Sequence, residues 1–512
     1  MRRTKAMNAC LSNSCILAAL LFPAVPGFAQ WDSYAHDAQH TALSPTASQA
    51  LAQIHWQTPV DLNPQYSGND LLIHYGSPLI TAANTVIVPV KTGKNGNFRV
   101  DAHIGATGAL LWSQTTDYIL PAHNWTPVFG PVLTDAPKLY YPGAAGTVYS
   151  RNSPDHSSAG RPTQLAFYGL SQYQAGPKAK QAFQASVQIN TPLTADSAGN
   201  IYFGFVVVQN NIMWPLYDSS GKQLVSGIAR ISAGGQGAWT PVTTASGDSH
   251  ITEVVQNCTP AISRDGGLLY ISVSNGSSGY LLALNSTTLA PVAKALLKDP
   301  KSGLNAVLSD NGTASPMVGP DNDVYYGVLE NPCCFENHDR GWMLHFSSDL
   351  SQLKIPGAFG WDDTAAVVPA SMVPSYSGTS AYLLFSKYNN YIEAGGDGLN
   401  KIAILDPNAT EIDPITGATV MNEVMTIVGP TPNAQGGVYE WCINSAAVDP
   451  ATKSVFANSE DGTLYRWDLT TNTLSQKMVL TSGIGEAYTP TVIGVDGTVY
   501  AINNATLFAV GQ

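Results

Sequence analysis

The feature that most constrains the fold of this chain is a pattern that returns eight times. Each copy opens with small residues, usually with Pro, and runs through a short apolar strand into a Gly, Asp or Asn turn and a second strand. The openings are Ser77-Pro78, Gly130-Pro131, Thr191-Pro192, Thr259-Pro260, Ser315-Pro316, Ala370-Ser371, Ser445-Ala446 and Thr489-Pro490. A unit of this size is one supersecondary element that must stack on its neighbours to bury both faces.

The repeat predicts an all-β chain folded as an eight-bladed β-propeller, with one blade for each copy. The low share of charged residues, 12%, and the many Gly, Pro, Ser, Thr and Asn residues fit a turn-rich β protein. The last copy supplies three strands, so we expect the fourth strand of its blade to come from residues 54–60. Such pairing would close the ring and cover two exposed strand edges.

The N-terminal residues have the features of an export signal. Arg2, Arg3 and Lys5 precede an apolar run at 16–22, and Gly27-Phe28-Ala29 resembles a signal-peptidase site. The sequence therefore predicts a signal peptide at 1–29 and a single propeller domain at 30–512. We expect a monomer that is periplasmic or secreted and has no membrane span, because no later segment approaches 18 apolar residues.

The charge balance bears on the partners. The chain has 36 acidic and 24 basic residues, a net charge of −12, and no basic run. Nucleic acids and anionic membrane surfaces need concentrated Lys and Arg, so neither is an expected partner. An unidentified small molecule, glycan or protein at the channel mouth is the expected partner.

The cysteines beyond the signal are Cys258, Cys333, Cys334 and Cys442. An exported protein can hold disulfides, and the adjacent pair Cys333-Cys334 can form a vicinal disulfide on a loop of blade 5. We expect disulfides 333–334 and 258–442; in the alternative, Cys258 and Cys442 each pair with a cysteine of the loop. No CxxC or paired His accompanies these positions, so no metal site is predicted.

The loops that lead into the innermost strands of a propeller ring one mouth of its channel. They bring aromatic residues beside amides and carboxylates, which suits a planar or sugar-like ligand. The candidate catalytic acids are Asp363, Glu440 and Glu486. Proton abstraction from an alcohol would require one of them beside a cation or in a dry pocket. The segment with His36, Asp37 and His40 is expected to pack outside the propeller and to bind no metal.

Several copies carry a further pattern, which resembles the tryptophan-docking repeat of pyrroloquinoline quinone (PQQ) type propellers, Ala-x-Asp-x-x-Thr-Gly-x-x-x-Trp. The matching positions are Ala102, Thr107-Gly108 and Trp112; Ala229, Gly235 and Trp239; Ala283 and Thr288; Asp413 and Thr416-Gly417; and Asp468 and Thr471. The start of the expected mature chain is similar to that of quinoproteins at Trp31, Tyr34, Asp37, Ser44-Pro45, Ile54 and Trp56.

This resemblance implies that the Trp residues pack between neighbouring blades. Quinoprotein alcohol dehydrogenases have a vicinal disulfide over the cofactor that is followed closely by Arg-Gly, and Arg340-Gly341 follows Cys333-Cys334 here. The implied cofactor-binding candidates are Cys333, Cys334, Arg340, Trp441 and Asn257. The alternative is that the disulfide is a structural clamp on a long loop.

Three functions remain open from the sequence. The first is an exported propeller that acts as a ligand-binding or protein-interaction scaffold. The second is a quinoprotein oxidoreductase that uses PQQ and calcium to oxidise an alcohol or sugar and passes electrons to an external acceptor, since no haem-binding Cys-x-x-Cys-His is present. The third is a hydrolase or lyase with paired carboxylates such as Asp362, Asp363 and Glu486.

Overall fold

Eight β-sheets follow one another along the chain as the blades of a propeller. The computed structural model describes residues 31–208, 215–309, 312–486 and 489–512. Each blade is built from antiparallel strands that run from the channel outwards. The predicted all-β, eight-bladed architecture is confirmed.

The inner strands are buried on both faces because each blade packs between two neighbours, whereas outer strands such as Thr473–Val479 alternate exposed and half-buried residues. From the channel outwards, blade 1 comprises Leu79–Ile80, Thr85–Gly93, Gly96–Ile104 and Leu110–Thr115, and blade 2 comprises Val132–Leu133, Lys138–Pro142, Thr147–Asn152 and Thr163–Ala166. Blade 3 comprises Thr194–Ala195, Ile201–Val207, Gly227–Ile231 and Gly237–Pro241, with Val187–Ile189 beside its second strand. Blade 4 comprises Ala261–Ile262, Leu268–Ser274, Gly279–Asn285 and Pro291–Leu296, with Glu253–Val254 beside its second strand. Blade 5 comprises Met317–Val318, Val324–Val328 and Trp342–Phe346, and blade 6 comprises Ala366–Pro369, Tyr382–Tyr388, Lys401–Ile412 and Thr419–Val428. Blade 7 comprises Ala447–Asp449, Ser454–Asn458, Thr463–Asp468 and Thr473–Val479. Blade 8 comprises Thr489–Ile493, Val499–Asn503, Thr506–Gly511 and Gln53–Pro59.

Blade 8 joins the two ends of the described chain. The strand Gln53–Pro59 pairs antiparallel with Thr506–Gly511, with Gln53 opposite Gly511. On the inner side, Ile443–Ser445 pairs parallel with Thr489–Ile493. The N-terminal strand therefore supplies the fourth long strand of this blade, as the repeat count requires.

The remaining elements are short. The helices are Leu170–Tyr173, Pro177–Ser186 and Val242–Ser246, and the 3-10 turns are Ala144–Gly146, Ala370–Met372 and Ile392–Ala394. A small sheet of Tyr66–Ser67, Asp70–Leu71 and Gly485–Glu486 lies apart from the blades. No helix of the described ranges is long and apolar enough to cross a membrane.

The sequence places the opening of blade 6 incorrectly. The innermost strand of this blade is Ala366–Pro369, and the predicted opening Ala370-Ser371 lies in the following 3-10 turn. Val367 bonds to the N-terminal segment, as the innermost strands of other blades do. The prediction failed because the true opening, Thr364-Ala365, lacks the Pro that marks most copies.

Residues 31–44 run around the end of the channel that lies opposite to the mouth. Their backbone groups bond to the innermost strands of six blades, at Ile80, Leu133, Ile262, Val318, Val367 and Val448. From this segment the Tyr34 hydroxyl donates to the Asn444 carbonyl at 2.7 Å and lies 3.0 Å from Thr364 Oγ1. The expectation that the segment packs outside the propeller is wrong, because unpaired inner strand edges offer it bonding partners.

The docking tryptophans fill the interfaces between blades. Trp112 of blade 1 donates to the Pro154 carbonyl at 2.6 Å, beyond the third strand of blade 2, and the Arg151 guanidinium lies 4.1 Å from its ring. Trp56 of blade 8 donates to the Gly105 carbonyl of blade 1 at 2.7 Å. Gly108 has a φ of +70°, and a Cβ there would lie 2.5 Å from the Trp56 ring. The core therefore lies between blades, and the Thr-Gly turn of the repeat leaves room for the preceding blade.

The predicted signal peptide at 1–29 lies outside the described residues. The boundaries of the export signal and of the mature domain therefore stay predictions.

Candidate functional site

The mouth of the channel is closed below by side chains that cross it. Asn257 accepts the Val128 amide at 2.9 Å and donates to the Gly312 carbonyl at 3.3 Å, so it links blades 2, 4 and 5. Asn444 donates to the Tyr75 carbonyl at 3.0 Å. Together with Tyr34 from the opposite end, these links leave the mouth as a blind depression.

The vicinal disulfide lies on the rim of this depression. Cys333 and Cys334 are joined to each other, on the loop between the second and third strands of blade 5. Glu330 is buried at the base of this loop and accepts the amides of Asp339 at 2.7 Å and Gly341 at 2.9 Å. Cys333 is exposed and Cys334 half-buried, so the loop presents the disulfide at the protein surface.

The expected disulfide between Cys258 and Cys442 is wrong, because both thiols are free and buried. Cys258 lies in blade 4, where burial raises the pKa of its thiol to about 12. The Cys442 thiol donates to Glu460 Oε1 at 2.8 Å. The alternative pairing with the loop is also wrong, because Cys333 and Cys334 are joined to each other. The sequence places Cys258 and Cys442 at the same end of the channel, but it does not show that their side chains point towards different neighbours.

Three of the cofactor-binding candidates are engaged inside the protein. Arg340 is 2% exposed and forms an ion pair with Asp413 at 2.9 Å. Trp441 is fully buried, so neither face of its ring is open to a ligand. Asn257 holds the cross-channel links described above. These contacts give all three side chains a structural role.

The strongest candidate for chemistry is a buried group formed by Asp362, Asp363 and Lys387. The Lys387 ammonium donates to Asp362 Oδ2 at 2.6 Å. Burial raises the pKa of Asp363 to about 7, the Asp362 carboxylate adds to the rise, and Lys387 opposes it. Burial alone would lower the pKa of Lys387, but the two carboxylates hold it above its ordinary value. Asp363 thus meets the condition of a buried acid close to a cation.

Glu440 lies at the same mouth. Burial raises its pKa well above the ordinary value, and the charge of Glu460 adds to this rise while Lys387 opposes it. The two glutamates and Cys442 thus form a second titratable group beside Lys387. The third candidate, Glu486, pairs with Leu71 through the backbone of the small sheet. The expectation for the Glu486 side chain stays a prediction.

Sequence reasoning missed Lys387 and Glu460. Lys387 lies in the strand Tyr382–Tyr388, whose residues are all buried. Because a Lys in such an apolar strand is seldom buried without a partner, the sequence could have indicated that Lys387 pairs with an acid. Glu460 follows the second strand of blade 7 and gave no sequence signal.

The rim partly fits the quinone that the sequence resemblance implies. Trp361 is half-buried beside the disulfide loop, and its Nε1 has no hydrogen-bond partner. A Cβ at Gly341 would lie 2.3 Å from Trp361 Cβ, so glycine allows the loop to approach this residue. The exposed disulfide edge and this indole are the groups that could contact a planar ring. The predicted Trp441 is not one of these two groups.

Among the described residues, one group of three His, Cys, Asp or Glu side chains lies close enough to share an ion, namely Cys333, Cys334 and Asp339. Calcium takes oxygen ligands, which include amide and backbone carbonyl oxygens as well as carboxylates. Two of these three side chains are the sulphurs of the disulfide, so this group does not suit calcium. The calcium part of the prediction stays a prediction.

A cavity of about 1000 Å³ lies over the mouth ends of blades 3 to 5. Its lining is mixed, with apolar side chains such as Val254 and Leu329 and amides such as Asn190 and Gln256. A narrow cleft shares Gln256 with this cavity and extends to Trp361. The cavity is large enough for a sugar-sized ligand, and its lining includes Leu329, which directly precedes Glu330 at the base of the disulfide loop.

Comparison with solved structures identifies the fold. The chain has the fold of the quinoprotein alcohol dehydrogenases. A europium-containing methanol dehydrogenase is similar at a TM-score of 0.56 and 10% identity, over 93% of this chain and 89% of that one. The quinohemoprotein alcohol dehydrogenase from Comamonas testosteroni is similar at a TM-score of 0.56 and 10% identity, over 94% of this chain and 81% of that one.

A third similar structure is quinohemoprotein alcohol dehydrogenase ADHIIG from Pseudomonas putida HK5. It has a TM-score of 0.52 and 14% identity, over 95% of this chain and 76% of that one. No protein-family model matches the sequence, and no curated protein matches it. At these identities the quinoprotein dehydrogenase likeness concerns the fold, and the chemistry must be argued from the side chains.

Proposed function

We propose that this protein is an exported oxidoreductase that oxidises a hydroxyl group of an alcohol or sugar at the channel mouth. The observation that carries the proposal is the buried group of Asp363, Asp362 and Lys387. A base with a pKa near 7 is matched to proton abstraction at neutral pH. Perturbed acids of this kind cluster at functional sites.

In this proposal each residue has a distinct role. Asp363 accepts the hydroxyl proton of the substrate. Lys387 holds Asp362 ionised and limits the rise in the pKa of Asp363. Arg340 and Glu330 act as positioning residues, because they fix the disulfide loop at the rim.

Oxidation of a hydroxyl to a carbonyl also releases a hydride from carbon. PQQ, when bound, supplies the acceptor for that hydride, and the exposed disulfide with Trp361 would hold it. No step is assigned to calcium. Reoxidation would require an external electron acceptor.

A second candidate function is a ligand-binding or interaction propeller without catalysis. It is favoured by the internal engagement of Arg340, Trp441 and Asn257, which leaves fewer groups for a cofactor. In that case the cavity over blades 3 to 5 would receive the ligand.

The experiment that separates these functions is a dye-linked oxidation assay with the purified protein, PQQ and a panel of alcohols and sugars. We expect turnover by the unmodified protein, a loss of at least about a hundredfold in kcat for Asp363→Asn, and no loss for Asp349→Asn. Asp349 is exposed on a turn of blade 5 and serves as the matched control. Saturable ligand binding with no turnover of any substrate would overturn the oxidoreductase and support the second candidate.

A further inference from the structure

The disulfide loop brings one carboxylate close to both sulphur atoms. Asp339 Oδ1 lies 4.0 Å from Cys333 Sγ, and the sulphurs of Cys333 and Cys334 and a carboxylate oxygen of Asp339 all lie within 4.8 Å of one another. A disulfide sulphur carries no proton, so this approach is not a hydrogen bond. Within the described ranges, no N–H or O–H group donates to the Asp339 carboxylate. The proposed oxidation gives this carboxylate no role.

The three side chains stand on a loop that is fixed from below. Glu330 is 0% exposed and accepts the backbone amides of Asn337 at 3.3 Å, Asp339 at 2.7 Å and Gly341 at 2.9 Å. The Asp339 amide also donates to the Cys334 carbonyl at 2.8 Å. These bonds hold the backbone of Asp339 against that of Cys334. The spacing of the carboxylate and the sulphurs is therefore set by the fold, as a ligand site requires.

Reduction would turn the two sulphurs into metal ligands. A dithiol reductant breaks the bond between Cys333 and Cys334 by thiol–disulfide exchange. Each cysteine sulphur gains one electron and one proton, and the reductant is oxidised to its own disulfide. A divalent cation then displaces the two thiol protons and binds the thiolates. Two thiolates and one carboxylate select a thiophilic ion such as Zn²⁺ or Cd²⁺.

The observed distances suit such an ion. Zinc lies about 2.3 Å from a thiolate sulphur and about 2.0 to 2.2 Å from a carboxylate oxygen, so neighbouring ligands of a tetrahedral zinc are about 3.6 to 3.8 Å apart. The 4.0 Å between Asp339 Oδ1 and Cys333 Sγ is close to this range. Breaking the disulfide frees the two sulphurs to separate to the same distance. Small side-chain rotations are therefore sufficient to form the site.

The loop is accessible both to a reductant and to an ion. Cys333 is exposed, and Cys334 and Asp339 are half-buried. Water can therefore fill the fourth position around the metal, as it does in open zinc sites. The two remaining thiols, Cys258 and Cys442, are buried, and burial raises the pKa of both. The rim cysteines are thus the ones that meet an ion from solution first.

We infer that the reduced loop is a binding site for a thiophilic divalent cation, held by the thiolates of Cys333 and Cys334 and the carboxylate of Asp339. The oxidised loop does not bind the ion, because both sulphurs are then joined to each other. The loop thus has two exclusive states, a disulfide and a metal-loaded dithiol. The inference goes beyond the proposed oxidation and needs neither quinone nor substrate.

The test compares the oxidised and the reduced protein. The purified mature protein is treated with dithiothreitol, freed of it without oxygen, and titrated with Cd²⁺ and with Co²⁺. We expect reduction to add two reactive thiols per chain while the circular dichroism stays native. One Cd²⁺ per chain should then bind with a thiolate charge-transfer band, at least about a hundredfold more tightly than to the oxidised protein. A native protein that gains no thiols, or equal binding by both forms, would overturn the inference.

Variants identify the ligands. Asp339→Asn should be reduced normally but lose at least about tenfold in Cd²⁺ affinity, since the loss of even an outer partner of a metal ligand costs this much. Asp349→Asn, on an exposed turn of the same blade, should bind as the unmodified protein does. Equal affinities in these two variants would overturn the three-ligand site.

A double variant measures the background from the buried thiols. Cys333→Ser with Cys334→Ser keeps Cys258 and Cys442, and it should show no charge-transfer band under the same conditions. An undiminished band would overturn the inference. If this variant does not fold, the oxidised protein supplies the same control without a substitution. None of these measurements involves alcohol oxidation, so their failure leaves the proposed function standing, and failure of the dye-linked assay leaves the metal site standing.

Discussion

At the scale of single residues, Asp363 has an environment that opposes its ionisation. Its folded pKa of about 7 compares with an ordinary value of 3.8. The folded protein therefore binds more protons at this site than the unfolded chain between those values. Its contribution to stability is favourable at low pH and is lost as the pH rises from about 4 to about 7.

We therefore predict opposite effects of pH on stability and on activity. Turnover should rise as the pH passes about 7, because Asp363 then becomes the base. Between about pH 4 and about pH 7, the contribution of this group should lower the free energy of unfolding by as much as about 4 kcal/mol. Asp363→Asn should flatten both profiles. Urea unfolding and kcat measured across this range check the prediction, and unchanged profiles in the variant would contradict it.

Lys387 leads to a second prediction at this scale. Replacement by Met removes the ammonium that pairs with Asp362 and leaves a buried carboxylate without its partner. Such a loss costs about 3 to 5 kcal/mol. Lys178, which is exposed on a helix, supplies the control Lys178→Met, with an expected change below about 0.5 kcal/mol. Urea denaturation of both variants gives the comparison, and equal effects would show that the Lys387 pair is not stabilising.

The candidate site was only partly predictable from single residues. Asp363 and Glu440 could be selected because acids that precede innermost strands must face the mouth. Lys387 and Glu460 belong to other strands, and their approach depends on how three blades pack. The roles of Arg340 and Trp441 were misjudged for the same reason, since sequence shows proximity along the chain and not the direction of a side chain.

At the scale of the elements, the turn of blade 1 next to Trp56 shows why the repeat keeps its glycine. We predict that Gly108→Ala is markedly more destabilising than Gly221→Ala. Both glycines have positive φ, but a Cβ at Gly221 meets no atom within 4 Å, whereas a Cβ at Gly108 meets the Trp56 ring at 2.5 Å.

The difference between the two variants therefore isolates the contact between blades. Overpacking of this kind costs about 1 to 3 kcal/mol, beyond the backbone strain that both substitutions share. Thermal unfolding monitored by circular dichroism checks it. Similar melting temperatures for the two variants would show that Trp56 moves aside freely.

The blades themselves were predictable, because turn residues and short apolar strands repeat locally. Blade 6 was placed several residues late, since Thr364-Ala365 carries no Pro. Blade 5 also departs from the regular pattern: its sheet has three strands instead of four, and the isolated bridge between Phe346 and Leu353 extends its outer edge. These irregular blades are the two that border the disulfide and Lys387.

At the scale of the whole molecule, residues 31–44 connect six blades at the closed end of the channel. From this segment the Tyr34 hydroxyl has buried partners on blades 5 and 6 and at Asn444. Closure of the ring thus depends on this segment as well as on the strand Gln53–Pro59.

We predict that Tyr34→Phe lowers the stability of the whole propeller by about 1 to 3 kcal/mol, because it leaves buried polar partners unsatisfied. Tyr217 is 44% exposed, and Tyr217→Phe is the control. Calorimetry should show one lowered transition for Tyr34→Phe. A separate early transition that leaves the main one unchanged would contradict a central role for the segment.

The central claim is that the mouth beside the disulfide is the active site of an oxidoreductase. The most direct measurement is a titration of the purified mature protein with PQQ, followed by absorbance and melting temperature, with calcium and with a chelator. The account predicts saturable binding of one quinone per chain, which is weakened by Cys333→Ser with Cys334→Ser and by Trp361→Ala. Absence of binding at high micromolar quinone, under both conditions, would contradict it.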